Sequence, residues 1–170
     1  TLESPMALED DGQRKAVTPD DFLSEIERAV LNGVAWSDTL RRILARMNAD
    51  SGTIHILGND GVLHLKAASD GIPQIVLDTI KDVPVGKGMA GLAVERKLPV
   101  NACNIQTDAT GDVRPGARAT GLQGSVVVPM LRGDEAVGAL GVATRRERTF
   151  TDAEEQLLVE IGKVLARAPH

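Results

Sequence analysis

The stretch PVGKGMAGLAVERKLPV, residues Pro84 to Val100, decides how the rest of the chain is read. Val85-Gly86-Lys87-Gly88 is a glycine-rich turn, because glycine accepts the positive φ angles that a tight reversal demands. A short helix is predicted from about Met89 to Arg96, and Gly91 within it allows a close approach to a neighbouring segment. Leu98-Pro99-Val100 then opens an extended segment running to about Ala102. A phosphate-cradling P-loop would need G-x-x-x-x-G-K-[ST], which is absent, so the turn reads as structural.

Upstream, Thr18-Pro19-Asp20-Asp21 has the marks of a helix start: a hydroxyl cap, proline in the first turn, and carboxylates at the positive end of the dipole. Phe22, Leu23, Ile26, Ala29 and Val30 follow at helical spacing, and Gly33 ends the run. Ser37 is expected to cap a second helix carrying Leu40, Ile43, Leu44 and Met47. Residues 1–17 are polar and aperiodic and are expected to form a flexible tail, which leaves 18–170 as one domain.

Thr53 to Leu57 and Val62 to Ala68 alternate around Asn59-Asp60-Gly61, which predicts a β-hairpin. By parity, Ile54 and Ile56 are expected to share a face with Leu63, Leu65 and Ala67, with His55, His64 and Lys66 on the other. Ile72, Ile75, Val76, Thr79 and Ile80 predict a short amphipathic helix. Residues 104–124, with Gly111, Pro115, Gly116, Gly121 and Gly124, form a long irregular stretch of the kind that usually carries function. SVVVPML (Ser125–Leu131) and EAVGALGVAT (Glu135–Thr144) are apolar enough for central strands covered on both faces. Gly138 and Gly141 mark points where something approaches the backbone closely. Thr151-Asp152-Ala153-Glu154 is a capping box opening a last helix, with Leu157, Leu158, Ile161, Val164 and Leu165 inward.

These elements assemble as an α+β domain, an α/β/α sandwich. A central antiparallel sheet of about five to six strands is expected, with terminal helices on one face and short helices plus the long loop on the other. A pocket is expected between sheet and loop. Over 170 residues the net charge is −5, which argues against nucleic acid as the partner. No apolar run approaches the ~20 residues of a membrane span. The lone Cys103 excludes an intrachain disulfide and suits a reducing, cytoplasmic compartment. The chain starts at Thr1 rather than Met, and an output domain in a longer parent protein is an expectation.

The chain resembles the GAF family over about Asp21 to Ala168. The resemblance is carried by Val85-Gly86-Lys87-Gly88-Met89-Ala90-Gly91, by Leu98-Pro99-Val100, by the SVVVPML and GALGV strands, and by Phe150-Thr151 with Glu154. It implies a sheet of about six strands and a non-enzymatic small-molecule sensor or dimerisation module of bacterial signalling proteins. A homodimer through the terminal helices is expected on the same ground.

Cys103 raises an enzymatic alternative, since some GAF-like proteins reduce free methionine sulfoxide with two or three cysteines near the pocket. One thiol attacks and a second resolves; here the second is missing, and Cys103 is expected to be a small buried hydrophobe. A ligand-free dimerisation scaffold is the other alternative. The cyclic-nucleotide branch of the family carries an Asn-Lys-Phe-Asp-Glu constellation. Asn101 and Asp108 could be its remnants, but no Phe lies between Phe22 and Phe150. The Cys-His pair of bilin-binding members is absent, and a haem would need an axial His that neither His55 nor His64 supplies near the loop. Two histidines on one hairpin face could hold a metal, but no third ligand is evident, so no metal and no cofactor are expected.

Aromatic residues are the informative absence. There is no Tyr, and Phe22, Trp36 and Phe150 are the whole set, so residues 37–149 contain none. Planar ligands are commonly held by stacking worth ~1–3 kcal/mol per base. A large planar ligand is therefore disfavoured. Arg114 and Arg118 in the glycine-rich loop are expected to clamp a small anion over a floor of Val127 and Ala143. The candidate ligand-binding residues are Asn101, Asn104, Ile105, Asp108, Arg114, Arg118, Ser125, Val127 and Ala143, with no catalytic residue among them. Arg132-Gly133-Asp134 is read as a hairpin turn and Arg145, Arg146 and Arg148 as a solvated loop.

Overall fold

The computed structural model describes residues 18–106 and 121–168. The expected tail at 1–17 and the middle of the long loop, with Asp108, Arg114 and Arg118, lie outside the described residues. Among the described residues, five helices and six strands run in the order α1 (Pro19–Leu31), α2 (Trp36–Met47), β1 (Ser51–Leu57), β2 (Val62–Ala68), α3 (Gln74–Ile80), β3 (Asp82–Pro84), α4 (Gly88–Arg96), β4 (Val100–Ala102), β5 (Gly124–Arg132), β6 (Glu135–Thr144), α5 (Asp152–Ala166). The strands form one antiparallel sheet in the order β3-β2-β1-β6-β5-β4. The sixth strand is β3, three residues too short to leave an alternation in the sequence.

Helices α1, α2 and α5 cover one face. Phe22 and Ile26 of α1, Leu40 and Ile43 of α2, and Leu158, Ile161 and Leu165 of α5 pack on Ile54, Val126, Val128, Leu140 and Val142. Every second residue of β5 and β6 points here: Val126 pairs with Val142 and Val128 with Leu140. Gly162 lets α5 settle onto β5, since a Cβ there would lie 3.1 Å from the Pro129 carbonyl. The ends are tied by side chains. Thr18 accepts from the Asp21 amide at 3.1 Å, and Thr151 and Glu154 complete a capping box. Arg148 donates to the Met47 and Asn48 carbonyls at the end of α2, pairs with Glu154, and lies 4.2 Å over the Phe150 ring. It is thus an anchor between α2 and α5 rather than a solvated loop residue.

Two expectations are corrected here. Ser37 does not cap α2: the helix begins at Trp36 after Ala35, which makes no side-chain cap bond, because Trp36 packs on the core and draws the first turn upstream. The hairpin parity also differs. Leu57 pairs with Leu63, Ile56 with His64 and His55 with Leu65, so His55 shares a face with Leu63 and Leu65. Beyond a bulge that leaves Lys66 without a counterpart, Ile54 pairs with Ala67, as the alternation suggests. A one-residue change of register exchanges faces, and it separates the two histidines.

Candidate functional site

The second face of the sheet is covered by the stretch that opened the sequence reading. Gly86 and Gly88 take φ of 88° and 62°, values that favour glycine. They turn the chain from β3 into α4, and the Gly86 amide donates to the Gly91 carbonyl at 2.9 Å. A Cβ at Gly91 would stand 2.5 Å from the Pro84 carbonyl, so the turn and the helix can close on each other only with glycine there. Val94 and Ala93 of α4 then pack on Leu63, Val83, Val100, Val127 and Ala139. The cluster is smaller than the one under the other face and leaves a hollow beside it.

That hollow has a volume of about 160 Å³. Its floor is Thr53 and His55 of β1 with Ser125 and Val127 of β5; Thr79 and Ile80 at the end of α3 wall one side. Lys87, Gly88, Met89 and Ala90, the first turn of α4, wall the other. None of the three aromatic residues is near it: Phe22, Trp36 and Phe150 all pack in the layer under α1, α2 and α5.

His55 is 3% exposed and is the most deeply buried polar side chain of the hollow. Its Nε2 lies 2.8 Å from the Ile80 carbonyl. A carbonyl can only accept, so Nε2 carries the proton and Nδ1 is left as an acceptor. Nδ1 is buried and has no hydrogen-bond partner among the described residues. Burial pushes the imidazole pKa below its ordinary value, against a smaller opposing effect of the Ile80 bond, so the ring is neutral near pH 7. His64 is the opposite case. It is exposed, held by Asp82 at 2.8 Å and Asp60 at 2.9 Å, and these bonds raise its pKa, Asp82 most. Among the described residues no cluster of three or more histidine, cysteine or acidic side chains is placed to hold a metal.

The candidate residues fall into separate groups. Ser125 and Val127 line the hollow. Ala143 pairs with Ser125 on the same sheet face but does not line it. Ile105 is buried beside Ala102, in contact with Met89 and Leu122. Asn101 is turned the other way, donating to Glu155 of α5 at 2.6 Å, because it pairs with Val126 on the helix-covered face. Asn104 donates to Glu147 at 2.7 Å. Cys103 is not the buried hydrophobe expected: it is exposed, one residue past the end of β4, where the strand gives way to the loop. The sequence reading missed His55, Lys87 and Met89 as lining residues. A register in which Leu57 faces Leu63 across a Gly58–Gly61 turn would have placed His55 inward.

A sheet sandwiched between a three-helix layer and a glycine-hinged α4, with a hollow on the α4 side, makes this an α+β module. A family model described as "GAF domain" matches residues 35–168, most of the chain, and the chain belongs to that family. GAF domains are in general regulatory or sensory modules. No curated protein matches the sequence significantly. Among solved structures the chain is similar to the GAF domain of an Acinetobacter phosphoenolpyruvate-protein phosphotransferase, at 22% identity and TM-score 0.69 over 86% of this chain and 89% of that one. It is similar also to the corresponding GAF domain from Coxiella burnetii, at 22% identity and TM-score 0.69 over 87% and 90%. A third is a free methionine-R-sulfoxide reductase from Neisseria meningitidis in complex with its substrate, at 18% identity and TM-score 0.71 over 90% and 89%. At these identities the likeness is one of fold. No helix of the described residues is long and apolar enough to cross a membrane.

Proposed function

We propose that this chain is a non-enzymatic sensory GAF module that takes a small molecule into the hollow between β1, β5, the end of α3 and the first turn of α4. One observation carries the reading: the α4 side of the sheet leaves a hollow of about 160 Å³ whose floor mixes Val127 with the polar side chains of Thr53, His55 and Ser125. Terminal helices α1 and α5 pack directly on each other across the sheet from the hollow. They are the proposed route by which occupancy is reported and the proposed contact with a second copy. The compartment that suits this role is the cytoplasm.

Absence of catalysis rests on thiol count. A sulfoxide reductase that cycles through an internal disulfide needs a second cysteine, and Cys103 is the only one in the sequence. Isothermal titration of the chain with a panel of amino acids, hydroxy and keto acids and nucleotides tests the sensor. Saturable binding that disappears when Met89→Trp fills the hollow is expected. Turnover of free methionine sulfoxide that vanishes in Cys103→Ala would replace the sensor by the enzyme. Light scattering that gives a monomer at high concentration would remove the second copy.

A further inference from the structure

The second histidine of the hairpin sits between two carboxylates that come from different elements. His64 Nδ1 lies 2.8 Å from an Asp82 oxygen on β3, and its Nε2 lies 2.9 Å from an Asp60 oxygen in the β1–β2 turn. An ionised carboxylate only accepts, so both ring nitrogens donate, and only the imidazolium carries two N–H groups. Gly58 makes room for the ring: a Cβ there would stand 3.0 Å from His64 Cδ2 and Nε2. Asp60 is itself held, accepting from the Val62 amide at 3.1 Å. Among the described residues no other charged group acts on the ring. From β1 it meets Ile56, Lys66 on β2 and Lys81 ahead of β3 make no bond to it, and no helix contributes a charge.

What the ring holds is β3. This strand is three residues long and lies at the edge of the sheet, paired with β2. Both walls of the hollow are joined to it: Thr79 and Ile80 end α3 just before it, and Lys87 and α4 follow just after it, while Val83 of β3 lines the hollow itself. We propose that His64 is a proton-operated latch on β3: the imidazolium ties the edge strand to the β1–β2 turn, and loss of one proton loosens the strand that carries both walls of the hollow. The latch stands on the two bonds; its bearing on occupancy rests on the receptor reading above. When the ring gives a proton to water, one nitrogen becomes a lone pair facing a carboxylate, and one of the two attractions is lost. The side chain is 47% exposed, so that proton exchanges with solvent. The carboxylates hold the ring's pKa above 6.5, so the latch is closed below that pH and opens as pH rises through the folded value. His55, on the other face of the sheet, holds the Ile80 carbonyl and titrates in the opposite sense, so only a His64 variant separates the two.

The test is pulsed hydrogen exchange of the full chain at pH 6 and at pH 9, expressed as protection relative to an unstructured chain at the same pH. Leu65, bonded to the Lys81 carbonyl at 2.8 Å, and Val85, bonded to the Gly61 carbonyl at 3.4 Å, report the β2–β3 seam. Lys87, bonded to the Pro84 carbonyl at 3.1 Å, reports the α4 wall. Expected at pH 9 is a loss of protection of roughly two- to fivefold at all three, the span of an exposed ion pair, with the amides of β5 unchanged. Its midpoint should coincide with the titration of the His64 ring in ¹⁵N spectra, which should show both nitrogens protonated at pH 6. His64→Gln, which keeps one donor and does not titrate, should remove the pH dependence. Asp82→Asn should move the midpoint down. Protection independent of pH, a loss as large in His64→Gln, or a ring with one protonated nitrogen at pH 6 overturns the latch. Seam protection lost while Lys87 keeps its own overturns the coupling to the hollow. The receptor reading is decided separately, by the ligand panel.

Discussion

The two faces of the sheet are built from the same strands and do opposite things. Toward α1, α2 and α5, β5 and β6 present Val126, Val128, Leu140 and Val142, all 0–1% exposed, under a continuous layer of Ile and Leu. Toward α4, the alternate residues of the same strands are Ser125, Val127, Ala139 and Gly141, smaller or more polar, and a gap remains. Close packing leaves no vacancy a ligand could use. A site therefore needs a face that is deliberately under-filled, and the stability it forgoes must come from the other side.

Several measurements would break or sharpen that contrast. The largest effect is expected from Leu158→Ala on the helix-covered face: a loss of ~2–5 kcal/mol in urea unfolding, because Leu158 is fully buried in α5. Met89→Ala, at the rim of the hollow, should cost less than ~1 kcal/mol. Equal losses would mean that the α4 face is packed as tightly as the other. Arg148→Ala should cost about 1–3 kcal/mol, since two carbonyls of α2 and the Glu154 carboxylate lose one shared partner; a change within error would deny it the role of anchor. Thr151→Ala removes half of the capping box of α5, with ~1 kcal/mol expected by the same assay.

The smallest effect is a pH dependence in which the two histidines oppose each other. His55 has a folded pKa below 6.5, so the unfolded chain takes up the proton first. Its contribution is present above pH 6.5 and is lost as pH falls below it. His64 has a folded pKa above 6.5, so its pairing with Asp82 and Asp60 stabilises below pH 6.5 and fades as pH rises through the folded value. His64→Gln should therefore be destabilised relative to the parent at pH 6 and converge with it at pH 9. Stability differences equal at the two pH values would show that the exposed pairs contribute nothing measurable.

Much of the fold is legible because its signals are local. The caps at Thr18 and Thr151, the periodicity of α1 and α5, and the apolar runs of β5 and β6 each follow from neighbours within a few residues. The candidate site is less legible. Asn101 looks available in the sequence, yet its register against Val126 aims it at Glu155. His55 looks like a surface residue of an alternating strand, yet the four-residue turn before β2 puts it inside.

By itself the sequence determined the class of domain, the order of its elements, and the absence of aromatic residues from 37–149, because composition and spacing need no knowledge of what lies opposite. Only the tertiary structure decided which polar groups meet in the hollow. Strand register, a bulge at Lys66 and the approach of Ile80 to His55 are relations between distant segments, and a single residue of slip would have exchanged the buried histidine for the exposed one.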